Sequence, residues 1–222
     1  MVRMAFIMAL VLSVVVPTQA GIIISEVHPG GSGNGTYAAD WIELTNTGPA
    51  AEIITGWKMD DSSASAATAA PMSGVVSIAP GQSAVFAESS GSNPCATITT
   101  NFIQAWFGGS APSGFTMGCY QGSGVGLSTG GDGVVIFDSL NAVVAGVTFG
   151  ASSSGITFDN AAGIGSSAPA YPAISTLSAV GVNGAFQSSD TAEVGSPGVV
   201  PEPSAVLLLC LGSLLALHRC RR

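Results

Sequence analysis

Short apolar runs separated by turn residues fill most of the chain between residues 21 and 158. Many of these runs alternate apolar and polar side chains or are rich in β-branched residues, as is typical of β-strands. The predicted strands are 22–28, 41–46, 52–55, 56–59, 74–78, 83–88, 133–138, 142–149 and 156–158. Strands at about ten-residue spacing, without long helices between them, indicate an all-β protein built as an antiparallel sandwich or barrel.

Two segments depart from this strand pattern. Phe102, Ile103, Trp106 and Phe107 recur at helical spacing, so we predict a short helix over residues 101–107. Residues 159–199 are rich in Gly, Ser and Ala and show weak periodicity. We predict that they form an irregular closing segment and linker, with room for one further strand.

The N-terminal residues have the three parts of a secretory signal peptide. Arg3 supplies the basic start, residues 4–16 are apolar, and Ala20 ends a cleavage site of the usual kind. A helix over the apolar run would be about 20 Å long, which is short of the roughly 30 Å of a bilayer core. We therefore predict that signal peptidase removes residues 1–20, so that the mature protein begins at Gly21.

The last residues combine a proline motif, an apolar run and a basic cluster, in that order. The apolar run, residues 205–217, is a predicted transmembrane segment whose basic end would stay cytoplasmic under the positive-inside rule. The flanking residues are Pro201, Glu202 and Pro203 before this run and Arg219, Arg221 and Arg222 after it. Residues 200–222 resemble the PEP-CTERM sorting signal of Gram-negative bacteria, which implies processing by an exosortase. A plain tail anchor is the alternative.

The charge of the chain excludes some partners. The sequence has thirteen acidic residues and five basic ones, and Lys58 is the one lysine or arginine between residues 21 and 200. Because binding to nucleic-acid phosphates or anionic lipid headgroups requires several basic side chains, this body is not expected to bind either.

Two cysteines, Cys95 and Cys119, lie in the predicted exported body. An oxidising compartment favours a disulfide between them, and two buried free thiols are the alternative. The cysteine and histidine spacing does not match a zinc site.

Several motifs resemble those of the lamin-tail domain. They lie at residues 23–27, 40–46, 55–61, 78–86 and 127–138, in the order that this family shows. The resemblance implies an immunoglobulin-like antiparallel β-sandwich over residues 21–158. Residues 88–126 depart from the compact nuclear-lamin form and resemble the longer bacterial versions, so we treat them as an insert and expect the sandwich to be complete without it.

Three carboxylates are the main candidates for site chemistry. Glu26, Asp40 and Glu43 lie on or beside two neighbouring predicted strands, so their side chains could meet on one face. Such a group could bind calcium, act as an acid and a base, or accept structural hydrogen bonds. All three interpretations stay open at this point.

The aromatic residues and the body's histidine have simpler interpretations. His28 ends a predicted strand at a Pro-Gly turn, which indicates a solvated position and no catalytic role. Trp41 and Trp57 are expected to pack in the core between the sheets, with an exposed carbohydrate-binding platform as the alternative.

These observations favour an exported, non-catalytic structural or binding module. Signal peptidase and an exosortase would process it. It would then reside in the cell envelope or in an extracellular matrix that includes exopolysaccharide. The alternative is an accessory domain or enzyme of an extracellular hydrolase or nuclease system, with calcium as a cofactor. No other cofactor is expected.

Overall fold

The computed structural model describes residues 21–30, 36–122, 124–165 and 171–200, where the chain is mostly β-structure with one α-helix. The helix, α1, spans Cys95–Phe107. The strands are β1 Ile22–His28, β2 Trp41–Asn46, β3 Glu52–Ile53, β4 Lys58–Asp60, β5 Ala70–Ser73, β6 Ser77–Ile78, β7 Ser83–Ser89, β8 Met117–Gln121, β9 Asp132–Phe137, β10 Val143–Phe149, β11 Phe158–Asp159, β12 Ala173–Ile174, β13 Phe186–Gln187 and β14 Val194–Gly195.

The main sheet has the strand order β11-β1-β2-β7-β8-β5-β4-β9-β10-β12. Its two halves fold over one another, since β1 contacts β10 across the core. Apolar side chains from both halves fill the space between them, among them Ile42, Phe86, Tyr120, Val134 and Val147. The arrangement is consistent with the predicted β-sandwich.

The prediction of a wholly antiparallel sheet was wrong in two places. Strands β7 and β8 pair in parallel, and so do β10 and β12. A parallel pair needs a crossover connection, and between β7 and β8 the helix α1 provides it. The helix therefore determines the direction in which β8 enters the sheet.

The segment treated as an insert is part of the sandwich. Strand β8 lies between β7 and β5, so it connects one half of the main sheet to the other. Gly118 allows this close pairing, because a Cβ atom there would lie 2.2 Å from the Ser73 carbonyl oxygen. The expectation that the sandwich is complete without residues 88–126 is therefore corrected.

The helix begins earlier than predicted. The prediction started at residue 101, whereas α1 begins at Cys95 and ends where Gly108 adopts a left-handed conformation. Its buried residues are Ile98, Phe102, Ala105 and Trp106, which continue one apolar stripe over three turns. The first turns contain several threonines, which have low helix propensity, and this hid them from the sequence pattern.

Helix α1 covers the outer face of the β2–β7 pair and forms a second core there. Trp41, Val85 and Ala87 from the sheet pack against Phe102 and Trp106 from the helix. The Trp41 ring meets the rings of Phe102 and Trp106 edge to face, at centroid distances of 5.7 and 5.8 Å. Trp41 is thus buried outside the sandwich, whereas Trp57 lies in the core between its halves.

The closing segment contains more strand than predicted. Strand β11, which overlaps the predicted strand 156–158, pairs with β1 at one edge of the main sheet, and β12 in the closing segment pairs with β10 at the other. Strands β13 and β14 form a separate two-stranded sheet. Although most of residues 157–165 and 171–199 are irregular, they attach to both edges of the sandwich.

The predicted disulfide is present. Cys95 at the start of α1 is bonded to Cys119 in β8, across a sequence separation of 24 residues. The bond therefore ties the helix that covers the second core to the strand that joins the two halves of the sheet.

We expect Cys95→Ser to lower the stability of the whole domain. Opening a loop of this length costs about 3 kcal/mol in the chain-entropy model. Because β8 is a central strand, the loss should appear as one cooperative transition at a lower temperature, measured by calorimetry. A separate early transition confined to the 88–126 region would contradict this expectation and support an independent insert.

The structure leaves the predicted membrane segment untested. Within the ranges that it describes, no helix is both long and apolar enough to cross a membrane. The predicted segment 205–217 and the predicted signal peptide lie outside these ranges.

Candidate functional site

Two of the three candidate carboxylates face one another under the closing segment. Glu26 on β1 is the register partner of Glu43 on β2. The register shifts between Ile24 and Glu26, and this bulge puts the Glu26 side chain on the outer face of the sheet. Both residues are buried, with 0% and 1% of their surface exposed.

The closing segment supplies most of the hydrogen-bond donors to Glu26. The backbone N–H of Ser196 donates to Glu26 Oε1 at 2.8 Å, and the Ser196 hydroxyl donates to Oε2 at 3.1 Å. The Thr157 hydroxyl donates to Oε1 as well. These contacts fasten residues 157–196 to the first strand of the sheet.

Glu43 holds the end of the same segment. The backbone N–H of Gly198 donates to Glu43 Oε2, and the Ser25 hydroxyl donates to Oε1 at 2.8 Å. Glu26 thus binds the closing segment at Ser196, and Glu43 binds it two residues later, at Gly198.

Burial changes the protonation of this pair. Burial raises the pKa of Glu26 from 4.5 to about 7. The pKa of Glu43 is raised well above its usual value, first by burial and then by the charge of Glu26. Because the second charge is opposed by the first, the pair carries fewer than two negative charges at neutral pH.

Asp40 lies apart from this pair, so the structure does not bring the predicted calcium trio together. Asp40 and Glu43 are three positions apart on one extended segment, and an odd spacing puts side chains on opposite faces. Asp40 Oδ2 accepts a hydrogen bond from the backbone N–H of Leu127 at 2.7 Å. Across the described ranges, no group of three or more His, Cys, Asp and Glu side chains is placed to hold a metal ion.

His28 is buried, and the prediction of a solvated strand end was wrong. Its ring is stacked on Trp41 at a centroid distance of 5.6 Å, and 1% of the residue is exposed. Its Nε2 atom lies 3.2 Å from Glu193 Oε1. Burial lowers the pKa of His28 to about 4, so the imidazole is neutral at pH 7 and donates its Nε2–H to Glu193.

A buried polar network surrounds the His28–Glu193 contact. The Tyr37 hydroxyl lies 2.7 Å from each oxygen of Glu193. The indole N–H groups of Trp41 and Trp106 approach the same hydroxyl at 3.2 and 3.4 Å. Tyr37 and Glu193 were not among the predicted site residues, because no local pattern connects residues so far apart in the chain.

The network fixes the closing segment and the helix against the sheet. Glu193 belongs to the closing segment, Trp106 to α1 and His28 to β1. Because these groups are enclosed by aromatic rings, the site binds parts of the same chain and leaves no exposed imidazole for a substrate.

The candidate sorting residues lie outside the described residues. These are Pro201, Glu202, Pro203, Arg219, Arg221 and Arg222. The described chain runs to residue 200, and its last side-chain contact is the 3.4 Å hydrogen bond from the Ser83 hydroxyl to the Val199 carbonyl oxygen.

Comparison with known proteins identifies two matching families. The model of the Lamin Tail Domain matches residues 16–151, and the model of the PEP-CTERM protein-sorting motif matches residues 199–222. A search of the curated proteins finds no match. The domain match ends before the closing segment, so residues 157–198 and their contacts with Glu26 and Glu43 lie between the two matched regions.

Proposed function

The chain belongs to the lamin tail domain family, and we propose that it is an exported, non-catalytic structural or binding module. Its PEP-CTERM motif indicates sorting to the envelope by an exosortase. In this proposal signal peptidase removes residues 1–20, and residues 205–217 hold the protein in the membrane until the exosortase acts. The processed domain then resides in the cell envelope or an extracellular matrix, where exopolysaccharide is the proposed environment.

The observation that carries this proposal is the direct junction between the folded body and the sorting motif. Gly198 and Val199 are still hydrogen bonded to Glu43 and Ser83, and the motif begins at residue 199. With no free linker between them, processing at the motif would present the sandwich itself, with its C-terminal end fixed to the fold.

The buried polar groups support a non-catalytic role. An acid–base pair must reach its substrate, but Glu26, Glu43 and His28 are enclosed and bonded to other parts of the chain. Their contacts hold the closing segment to the sheet, which is a structural task.

The test is cell fractionation followed by intact-mass measurement of the native protein. The mature form is expected to begin at Gly21 and to lack residues 219–222. Replacing residues 201–203 by alanine should keep the protein in the membrane fraction, whereas Pro80→Ala, in an exposed turn of the body, should not. An extracellular form that retains Arg222 would contradict exosortase processing.

A further inference from the structure

Three polar residues form a row across the strands at the inner face of the sandwich. Ala87 pairs with Trp41, and the backbone N–H of Glu88 continues the ladder by donating to the Asp40 carbonyl oxygen at 2.8 Å. Glu88 is in turn the register partner of Tyr120 on β8. Asp40, Glu88 and Tyr120 therefore lie side by side on three adjacent strands.

The two carboxyl groups of this row interact directly. The Glu88 and Asp40 side chains are hydrogen bonded to each other, and burial together with Asp40 raises the pKa of Glu88 to about 7. The two carboxyl groups therefore lie within hydrogen-bond distance of each other at one end of the row.

The Tyr120 hydroxyl is the independent indication of a ligand. Tyr120 is 0% exposed, and its Oη atom has no hydrogen-bond partner. Burial raises its pKa, and the charges of Asp40 and Glu88 raise it further. A buried hydroxyl without a partner is rare in folded proteins, and a bound ion with its water would provide one here.

The surroundings of the row suit a cation and not an anion. Backbone atoms close the site, since a Cβ atom on Gly122 would lie 1.9 Å from Glu88 Oε1 and one on Gly126 would lie 3.3 Å from it. Lys58 does not neutralise the pair, because its Nζ donates to Asn141 Oδ1 at 2.8 Å. Glu88 is partly exposed, which gives an ion access from solvent.

We propose that Asp40 and Glu88, with the Tyr120 hydroxyl beside them, form a binding site for one divalent cation of the calcium class. Calcium binds oxygen ligands, carboxylates above all, and Asp40 and Glu88 provide two carboxyl groups here. The site uses one residue of the predicted trio and does not involve Glu26 or Glu43.

The test is calorimetric titration of the full chain in detergent with calcium chloride at pH 7. We expect one saturable site per chain. At a calcium concentration 100-fold above the dissociation constant, the melting temperature should rise by about 5 degrees or more relative to chelator.

Variants separate this site from general charge screening. Glu88→Gln keeps the shape of the protonated side chain, so it should fold and should lose at least ten-fold in calcium affinity. Glu52→Gln, which removes a partly buried acid from β3, should bind as the parent does. No saturable binding by the parent, or equal affinity in Glu88→Gln, would overturn the proposal. Binding lost in Glu43→Gln but kept in Glu88→Gln would overturn it in favour of the predicted trio.

Discussion

A chain that spans residues 21–151, ending where the domain match ends, is expected to lose cooperative unfolding. This truncation removes β11, which covers the edge of β1, and the donors that the closing segment provides to Glu26 and Glu43. It also removes Glu193, the partner of Tyr37 and His28. Several buried polar groups would then lose their partners at once.

The free-energy costs of these losses predict that the truncated chain does not fold. Each buried polar group left without its partner costs about 1–3 kcal/mol, and more when the group is charged. A typical domain has only about 5–15 kcal/mol of stability in total. The loss of donors to two buried carboxyl groups, together with the partner of Tyr37 and His28, is therefore comparable to the whole stability of the domain.

Urea unfolding followed by tryptophan fluorescence and near-ultraviolet circular dichroism measures this effect. The control is a chain that spans residues 21–200, which retains the contacts of Ser196 and Gly198 and should unfold in one sharp transition. Equal midpoints for the two chains would show that the closing segment is dispensable for the stability of the sandwich, which would contradict this prediction.

The parts of the fold that depend on local pattern were predictable. Strands β1 and β2 have the predicted bounds, 22–28 and 41–46, and β7 extends one residue beyond its prediction. These runs combine apolar alternation with clear turn signals at their ends, so local sequence alone determines them.

The parts that depend on contacts between distant residues were not predictable. Strand β8 contains a glycine and no apolar run, and it is a strand because β7 and β5 lie on either side of it. His28 is buried because Glu193 and Trp41 enclose it. Neither neighbour of β8, nor Glu193, is indicated by the residues nearby in the sequence.

The candidate carboxylates show the same division. The sequence predicted that Glu26 and Glu43 lie on adjacent strands, and in the structure the two residues are register partners. The alternation of side chains along a strand was sufficient to separate Asp40 from Glu43, because residues three positions apart point to opposite faces of the sheet. The neighbour that Asp40 does have, Glu88, depends on the pairing of β2 with β7, which the sequence does not specify.

Raising the pH from 6.5 to 8 is expected to destabilise the domain. Glu26, Glu43 and Glu88 all have pKa values raised by burial above their usual value of 4.5. The folded state therefore binds protons more tightly than the unfolded state, so this contribution to stability is complete below pH 4.5 and is lost as the pH rises through the folded pKa values.

His28 works in the opposite direction at lower pH. Its pKa is lowered from 6.5 to about 4, so its contribution to stability is present above pH 6.5 and is lost as the pH falls towards 4. Between pH 4.5 and 6.5 the imidazole and the carboxyl groups change the free energy of unfolding in opposite directions, so their effects partly cancel. Above pH 6.5 the imidazole is neutral in both states, and the change in stability comes from the carboxyl groups.

The free energy of unfolding should fall by roughly 2 kcal/mol between pH 6.5 and 8, which is the value for one proton that only the folded state binds, at about 1.4 kcal/mol per pKa unit. Solvent screening makes the share of the partly exposed Glu88 smaller. Urea unfolding at several pH values in this interval measures it. Glu43→Gln removes the group whose ionisation is opposed both by burial and by Glu26, so it should make the slope smaller, while Glu26 and Glu88 still contribute. Glu52→Gln should leave the slope unchanged. Stability that is constant or rises over this interval would show that Glu26 and Glu43 are already ionised, and that donors such as Ser196 and Gly198 fully offset the cost of burying both charges.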